Sequence, residues 1–297
     1  MQTAQRVYVI GDIHGQLQKL TKLLRDAHLI DASHTWSGGD ANLWFMGDFV
    51  DRGPDGIAVI DLVMRLQQEA ALAGGSVSSI LGNHEMLLLA AYRFGRRSTG
   101  LGSNFITRWK QNGGNRKDIA RLAPRHLEWM AQLPAMALVG DSLLLHADAP
   151  FYLKYGTTIE EVNINVRELL RRSDALSWEE LLEDFARRGV FMSSIYGMEL
   201  TSSYLKKFGG QRLVHGHTPI SRMLNCSPKK VNAPWIYAEG QCVNVDGGLA
   251  LGGSGFVYQL PASIVTIASS GETQLTGSSV DGRGRVQPCP YHQPDRY

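Results

Sequence analysis

The chain has 297 residues, 43% of them hydrophobic, and a formal net charge of +2. That is long enough for one large domain or two small ones, and apolar enough for a sizeable core. The near-neutral balance argues against a protein built to hold nucleic acid or an anionic membrane, and it does not suggest disorder.

Three cysteines, Cys226, Cys242 and Cys289, have no paired spacing and make no zinc signature. A sparse, odd count fits a reducing compartment. The apolar run Val7-Tyr8-Val9-Ile10 is too short for the core of a signal peptide. No run approaches the roughly 20 apolar residues of a membrane span. A cytoplasmic protein is expected, and oligomeric state has no signal here.

That same run predicts a first strand, ending at the turn Gly11-Asp12-Ile13-His14-Gly15. Leucines at 17, 20, 23 and 24 make a helical core stripe over residues 16–27. A glycine-containing loop leads to Leu43-Trp44-Phe45-Met46, a buried strand, and then to Gly47-Asp48-Phe49-Val50-Asp51-Arg52-Gly53. Pro54 and a helical pattern over 57–66 follow. Residues 77–81 predict a third strand, ending at Gly82-Asn83-His84-Glu85, where another helix begins. Strand, polar turn and helix thus recur three times. That is βαβ wiring, with a largely parallel sheet and its loops on one edge. The C-terminal ends of such strands are where open α/β sheets place ligands.

Residues 92–133 change character. Arg93, Arg96, Arg97, Arg108, Lys110, Arg116 and Lys117 stand among glycines. They predict a helical insertion over the site, and both a solvated surface and a substrate-facing role fit it. Residues 136–139 and 142–145 read as a hairpin about Gly140-Asp141, ending at His146-Ala147-Asp148. Charged helical segments at 159–172, 178–188 and 198–208 make a second insertion, about 157–208. Arg212-Leu213-Val214 leads into His215-Gly216-His217-Thr218-Pro219. Beyond, the chain is β-like at 235–238, 242–245, 255–260 and 264–268, with no helix past about residue 210. The second half therefore contributes a second sheet, and two sheets with flanking helices predict an α/β sandwich. The domain is read as residues 1–270. Residues 271–297, rich in Gly, Ser, Pro and Gln, are read as a loosely packed or flexible tail.

Asp12, His14, Asp48, Asn83, His146 and His217 are candidate metal ligands. Carboxylates, imidazoles and one amide suit divalent Mn, Fe or Zn, not Cu(I) or an iron–sulfur cluster. Two ions about 3.5–4 Å apart would polarise a phosphoryl oxygen and deprotonate a bridging water. Asp48, in the middle of the set, is the natural bridge. Arg52 offers a planar fork to phosphate oxygens. His84 adjoins a proposed ligand and could protonate a leaving oxygen, with Asp51 holding its other nitrogen. His28, His34, His126 and His292 have no motif around them and read as structural, and His215 reads as support for His217.

In their order, Gly-Asp-x-His-Gly at 11–15, Gly-Asp-x-Val-Asp-Arg-Gly at 47–53 and Gly-Asn-His-Glu at 82–85 resemble a known family. It is that of the PPP-type phosphoprotein phosphatases, within the calcineurin-like metallophosphoesterase superfamily. His146 and Gly216-His217-Thr218-Pro219 resemble its two later ligand histidines, so the resemblance covers roughly residues 6–260. Arg188-Gly189-Val190 followed by Tyr196-Gly197 resembles the stretch that brings a second arginine to the phosphate. The resemblance implies a two-sheet αββα sandwich. It implies one metal held by Asp12, His14 and Asp48, and another by Asp48, Asn83, His146 and His217. Arg52 and Arg188, with Asn83 beside them, would bind phosphate, and His84 paired with Asp51 would be the general acid. His146-Ala147-Asp148 departs from the family's His-Gly-Gly, and His215-Gly216-His217 follows the bacterial and phage-like members. Val245-Asp246-Gly247-Gly248 stands where a tyrosine-bearing loop is expected. Glu85 tilts the reading away from symmetrical dinucleoside tetraphosphatases, which usually have Asp there.

The expectation is a phosphatase using two divalent ions, Mn foremost. A bridging hydroxide would attack phosphomonoesters, foremost phosphoserine or phosphothreonine in proteins, with small phosphoesters as other substrates. The first rival is a symmetrical dinucleoside tetraphosphatase, for which Arg93, Arg96 and Arg97 could serve polyphosphate. The second is a non-catalytic scaffold for phosphorylated partners.

Overall fold

The computed structural model describes residues 6–100 and 102–261. Its first half is the anticipated repeat: β1 (Val7–Ile10), α1 (Leu17–Asp26), β2 (Asn42–Phe45), α2 (Gly56–Leu72), β3 (Ser76–Ser79) and α3 (Asn83–Phe94). Short helices α4 (Phe105–Gln111), α5 (Arg116–Arg121) and α6 (Pro124–Gln132) form the first insertion. The hairpin β4 (Met136–Val139) and β5 (Ser142–Leu145) precedes α7 (Ile159–Arg171), α8 (Ala175–Phe185) and α9 (Gly197–Phe208). The chain continues as β6 (Arg212–His215), α10 (Ile220–Met223), β7 (Trp235–Tyr237), β8 (Cys242–Asn244) and β9 (Tyr258–Gln259).

The strands form two sheets, ordered β3-β2-β1-β9 and β4-β5-β6-β8-β7. Pairs β1·β2 and β2·β3 are parallel, as are β5·β6 and β6·β8, while the edge strands β9, β4 and β7 are antiparallel. Side chains alternate across each strand. Val9, Met46 and Ile80 of the first half join Leu144, Val214 and Val243 in one buried cluster. Their neighbours Ile10, Phe45, Leu143, Leu145, Leu213 and Cys242 belong to the larger cluster shared with the helices. The period-two split makes this an αββα sandwich.

Two expectations need correction. The segment 255–260 does not extend the second sheet. Its strand β9 returns to the first, where Tyr8 pairs with Gln259 and Val9 with Tyr258. A β-like stretch of sequence carries no mark of which edge it will pair with. Nor is the chain after residue 210 free of helix, since α10 forms directly behind Pro219. The strand expected at 264–268, the tail at 271–297, Cys289 and His292 lie outside the described residues. No helix among the described residues is long and apolar enough to cross a membrane.

Candidate metal centre

The C-terminal ends of β1, β2, β3, β5 and β6 carry the candidate residues onto one edge of the sandwich. The first two turns are laced together: Ile13 and His14 N–H both donate to Asp48 O, at 3.0 and 2.8 Å. Gly82 lies so close to Asp48 that a Cβ there would come within 2.3 Å of Asp48 Oδ1. Glu85, fully buried, reaches back from the first turn of α3. Its carboxylate accepts from Asp48 N and Phe49 N, both at 2.8 Å, and from Gly82 N at 3.2 Å. Glu85 therefore faces backbone, and the Glu-for-Asp difference reports on the bracing of the Asp48 turn, not on substrate. Asp48 in turn accepts His84 N–H at 2.9 Å, at the N-terminus of α3, where a helix favours negative charge.

Ligand-capable atoms gather in two groups that share Asp48: His14, Asp48 and His84 in one, Asp48, His146 and His217 in the other. His146 Nε2 lies 3.3 Å from Asp48 Oδ1, and His14 Nε2 lies 3.6 Å from Asp48 Oδ2. Asn83 Oδ1 is 3.0 Å from His146 Nε2 and 2.9 Å from His217 Nδ1. Asp12 Oδ2 is 3.9 Å from His14 Nε2, and both Asp12 oxygens accept the His217 backbone N–H, at 3.0 and 3.1 Å. All six expected ligands are buried. His14 and His146 each donate Nδ1–H to a backbone carbonyl, of Val50 at 2.9 Å and of Met46 at 2.7 Å. That fixes the tautomer and turns the Nε2 lone pair inward.

The electrostatics suit cations. Burial lowers the pKa of His14, His146 and His217, keeping the rings neutral and able to ligate. Burial, then Asp246 and Asp48, hold Asp12 well above its ordinary value. At Asp48 burial pushes upward, but His146 and the other surrounding rings outweigh it, so this carboxylate lies well below the usual range. Lone pairs of imidazole, amide and carboxylate facing one another in a buried site fit two divalent ions.

Asp51 and His84 sit beside the first group. His84 Nδ1 donates to Asp51 Oδ2 at 2.8 Å, and Trp109 Nε1 donates to Asp51 Oδ1 at 2.7 Å. Arg52, exposed at the mouth, donates to His14 Nε2 at 2.6 Å and to His84 Nε2 at 2.8 Å. Its fork must turn outward before His14 can ligate or His84 can hold a proton on Nε2. His14, Asp48, Asp51, Arg52 and His217 all have left-handed φ, between 47° and 67°. Such backbone costs about 1–3 kcal/mol per residue and collects at functional sites.

Arg188 lies on the loop after α8. Its side chain is exposed, yet packing around it, then the charges of Arg52 and Arg222, lower its pKa. It therefore stands within electrostatic reach of the centre. Asp148 ties this loop down: its carboxylate accepts Gly189 N–H at 2.8 Å and the Thr218 hydroxyl at 3.4 Å. The departure from His-Gly-Gly is thus a tether between the Arg188 loop and the His217 turn. His215, fully buried, has its Nε2 2.9 Å from the Tyr237 hydroxyl and its Nδ1 3.0 Å from Gly216 O.

Several insertion arginines are engaged elsewhere. Arg93 donates to Leu170 O and Arg172 O and lies over the Trp178 ring. Arg108 pairs with Glu179 and Glu183. Arg93 is thus not positioned for polyphosphate as the tetraphosphatase rival supposed. Sequence reasoning missed Asp246, a buried carboxylate near the centre that burial, ahead of the charge of Asp48, pushes up to about 6. It also missed Trp109 and Asp118. Asp246 had a usable signal: an acid at a strand end with glycines beside it.

Fold and site together present two candidate metal-binding groups that share one carboxylate. A profile of the calcineurin-like phosphoesterases matches residues 5–221, and the chain belongs to that family. It is 26% identical over 226 residues to Shewanella-like protein phosphatase 1 of Plasmodium berghei (strain Anka), covering 72% of this chain and 61% of that one. A shorter match, 37% identical over 83 residues, is to Shewanella-like protein phosphatase 2 of Arabidopsis thaliana, covering 28% of this chain and 21% of that one. The chain thus spans less than two thirds of either phosphatase. It is equally similar, 26% over 222 residues, to a symmetrical bis(5'-nucleosyl)-tetraphosphatase of Erwinia tasmaniensis, covering 74% of this chain and 68% of that one. A cold-active protein-tyrosine phosphatase of a psychrophilic Shewanella species superposes with a TM-score of 0.64 at 21% identity, over 87% of this chain and 76% of that one. That likeness is one of fold.

Proposed function

We propose that this chain is a phosphomonoesterase that uses two divalent ions, Mn foremost, on phosphoserine or phosphothreonine in proteins. The ions, when bound, supply Lewis acidity and an activated water. Asp12, His14 and Asp48 would hold one, and Asp48, Asn83, His146 and His217 the other. Arg52, turned outward, and Arg188 would take the phosphate oxygens, and His84 would give a proton to the departing serine oxygen. His84 is eligible as a ligand by position. Its role as acid is favoured because Asp51 orients its ring.

The observation that carries the substrate reading is the buried Asp51–His84 pair, 2.8 Å apart. A proton donor matters most where the leaving oxygen is a poor one, as in an alkyl ester of serine. Cleaving a polyphosphate expels a phosphate oxygen, which leaves well without one. The tetraphosphatase reading keeps two supports: the Erwinia relative, and the exposed Arg222, whose charge bears on Arg188. A pure binding scaffold would need neither complete ligand group. The test is a side-by-side assay of a phosphoserine peptide and a dinucleoside tetraphosphate. A higher kcat/KM on the peptide is expected, and a higher value on the tetraphosphate would overturn the choice.

A further inference from the structure

The first insertion does more than cover the site. It grips three successive residues of the turn that carries the proposed acid's partner. Arg52 N–H donates to Gly113 O at 2.8 Å, and Asp51 N–H reaches Asp118 Oδ2 at 3.4 Å. Asn115 Nδ2 donates to Gly53 O at 3.1 Å. Asp51 and Arg52 have φ of 67° and 59°, a conformation that persists only where surroundings enforce it. The insertion supplies that enforcement.

Trp109 of α4 makes the side-chain contact. Its ring is fully buried, and its Nε1 lies 2.7 Å from Asp51 Oδ1. Asp51 is also fully buried, so each carboxylate oxygen has one side-chain donor: Trp109 on Oδ1, His84 on Oδ2. The indole cannot slide. Gly114 packs against it so closely that a Cβ would come within 2.3 Å of ring carbon Cδ2. On the other side α4 is anchored by Phe105, whose ring centroid is 4.8 Å from that of Phe94. A tryptophan serving only as core does not need its N–H on a buried carboxylate, where any apolar ring would pack as well.

We propose that Trp109 is a positioning residue of the phosphate-ester site: its indole N–H fixes the Asp51 carboxylate, which in turn aims the His84 ring at the leaving oxygen. This inference rests on the reading of His84 as proton donor. With the N–H removed, Asp51 Oδ1 loses its donor in a dry site, and the carboxylate is free to rotate away from His84.

The test compares Trp109→Phe, His84→Asn and the double variant on a phosphoserine peptide and on p-nitrophenyl phosphate. A proton donor is typically worth ~10²–10⁴-fold, so losing one orienting bond should lower kcat on the peptide by about tenfold. The aryl phosphate, with a good leaving group, should change by less than about twofold. In the His84→Asn background, Trp109→Phe should cause no further loss on the peptide. If Trp109→Phe lowers both esters equally, or adds its full loss to His84→Asn, the positioning role is wrong while the acid reading stands. If His84→Asn itself shows no dependence on the leaving group, the acid reading falls and this inference with it. Should Trp109→Phe fail to fold, 3-benzothienylalanine at position 109 keeps a bicyclic ring of nearly the same shape, with sulfur in place of the N–H donor. The same comparison is then read from that variant.

Discussion

His84 Nδ1 lies 2.8 Å from Asp51 Oδ2, and both side chains are sealed from solvent. The bond leaves one nitrogen of His84, Nε2, for chemistry, and that atom lies 4.0 Å from Asp48 Oδ2. His84→Asn should therefore lower kcat on a phosphoserine peptide by ~10²–10⁴-fold and spare an aryl phosphate by comparison. Metal content should stay intact, because Asn83 and not His84 is assigned as the ligand. Asp51→Asn should show the same pattern more weakly. Elemental analysis beside the kinetics decides the matter: metal lost from His84→Asn would make His84 a ligand.

Asp48 belongs to both ligand groups, so it has no substitute. Asp48→Asn should lose bound metal and activity together. It should also keep its fold, since the Glu85 brace contacts the Asp48 backbone rather than its side chain. A variant that retained two ions and near-normal kcat would show the bridge to be misassigned.

Asp118 gives a prediction about stability. Burial, with the charge of Asp51 behind it, pushes its carboxyl up to about 6 from an ordinary 3.8. The folded protein therefore holds a proton that the unfolded chain has already released, and this group disfavours folding as pH rises from about 4 to about 6. In Asp118→Asn that contribution is absent. Urea unfolding of chelator-treated protein at intervals between pH 4 and pH 7 should show a shallower fall in stability for the variant. Superimposable pH profiles would contradict the assignment.

The candidate ligands could be picked out because each ends an apolar run with a glycine or an aspartate near it, a pattern that packing alone does not require. Local sequence carries that signal. The order of the first three strands was legible for the same reason, since each βαβ unit is contiguous. Trp109 was not legible. It meets Asp51 across 58 residues of chain, and a tryptophan in a short amphipathic helix looks like core whether or not its N–H is used. Asp118 reaches Asp51 across 67 residues and is hidden in the same way. The homing of β9 to β1 depends on which edge the folded sandwich leaves open. Glu85 is a different case. Its place in the motif was seen, but only the fold shows that its carboxylate holds backbone N–H groups and does not face the cleft.

The central claim is that two divalent ions, bound around Asp48, are required for phosphoester hydrolysis. Chelated protein, shown by elemental analysis to be metal-free, is titrated with Mn while bound metal and hydrolysis of p-nitrophenyl phosphate are followed together. No hydrolysis is expected at the start, then activity that rises to a plateau at two ions per chain, and a lower plateau with Mg, which imidazole ligands hold less well. Full activity in the metal-free protein would contradict the claim.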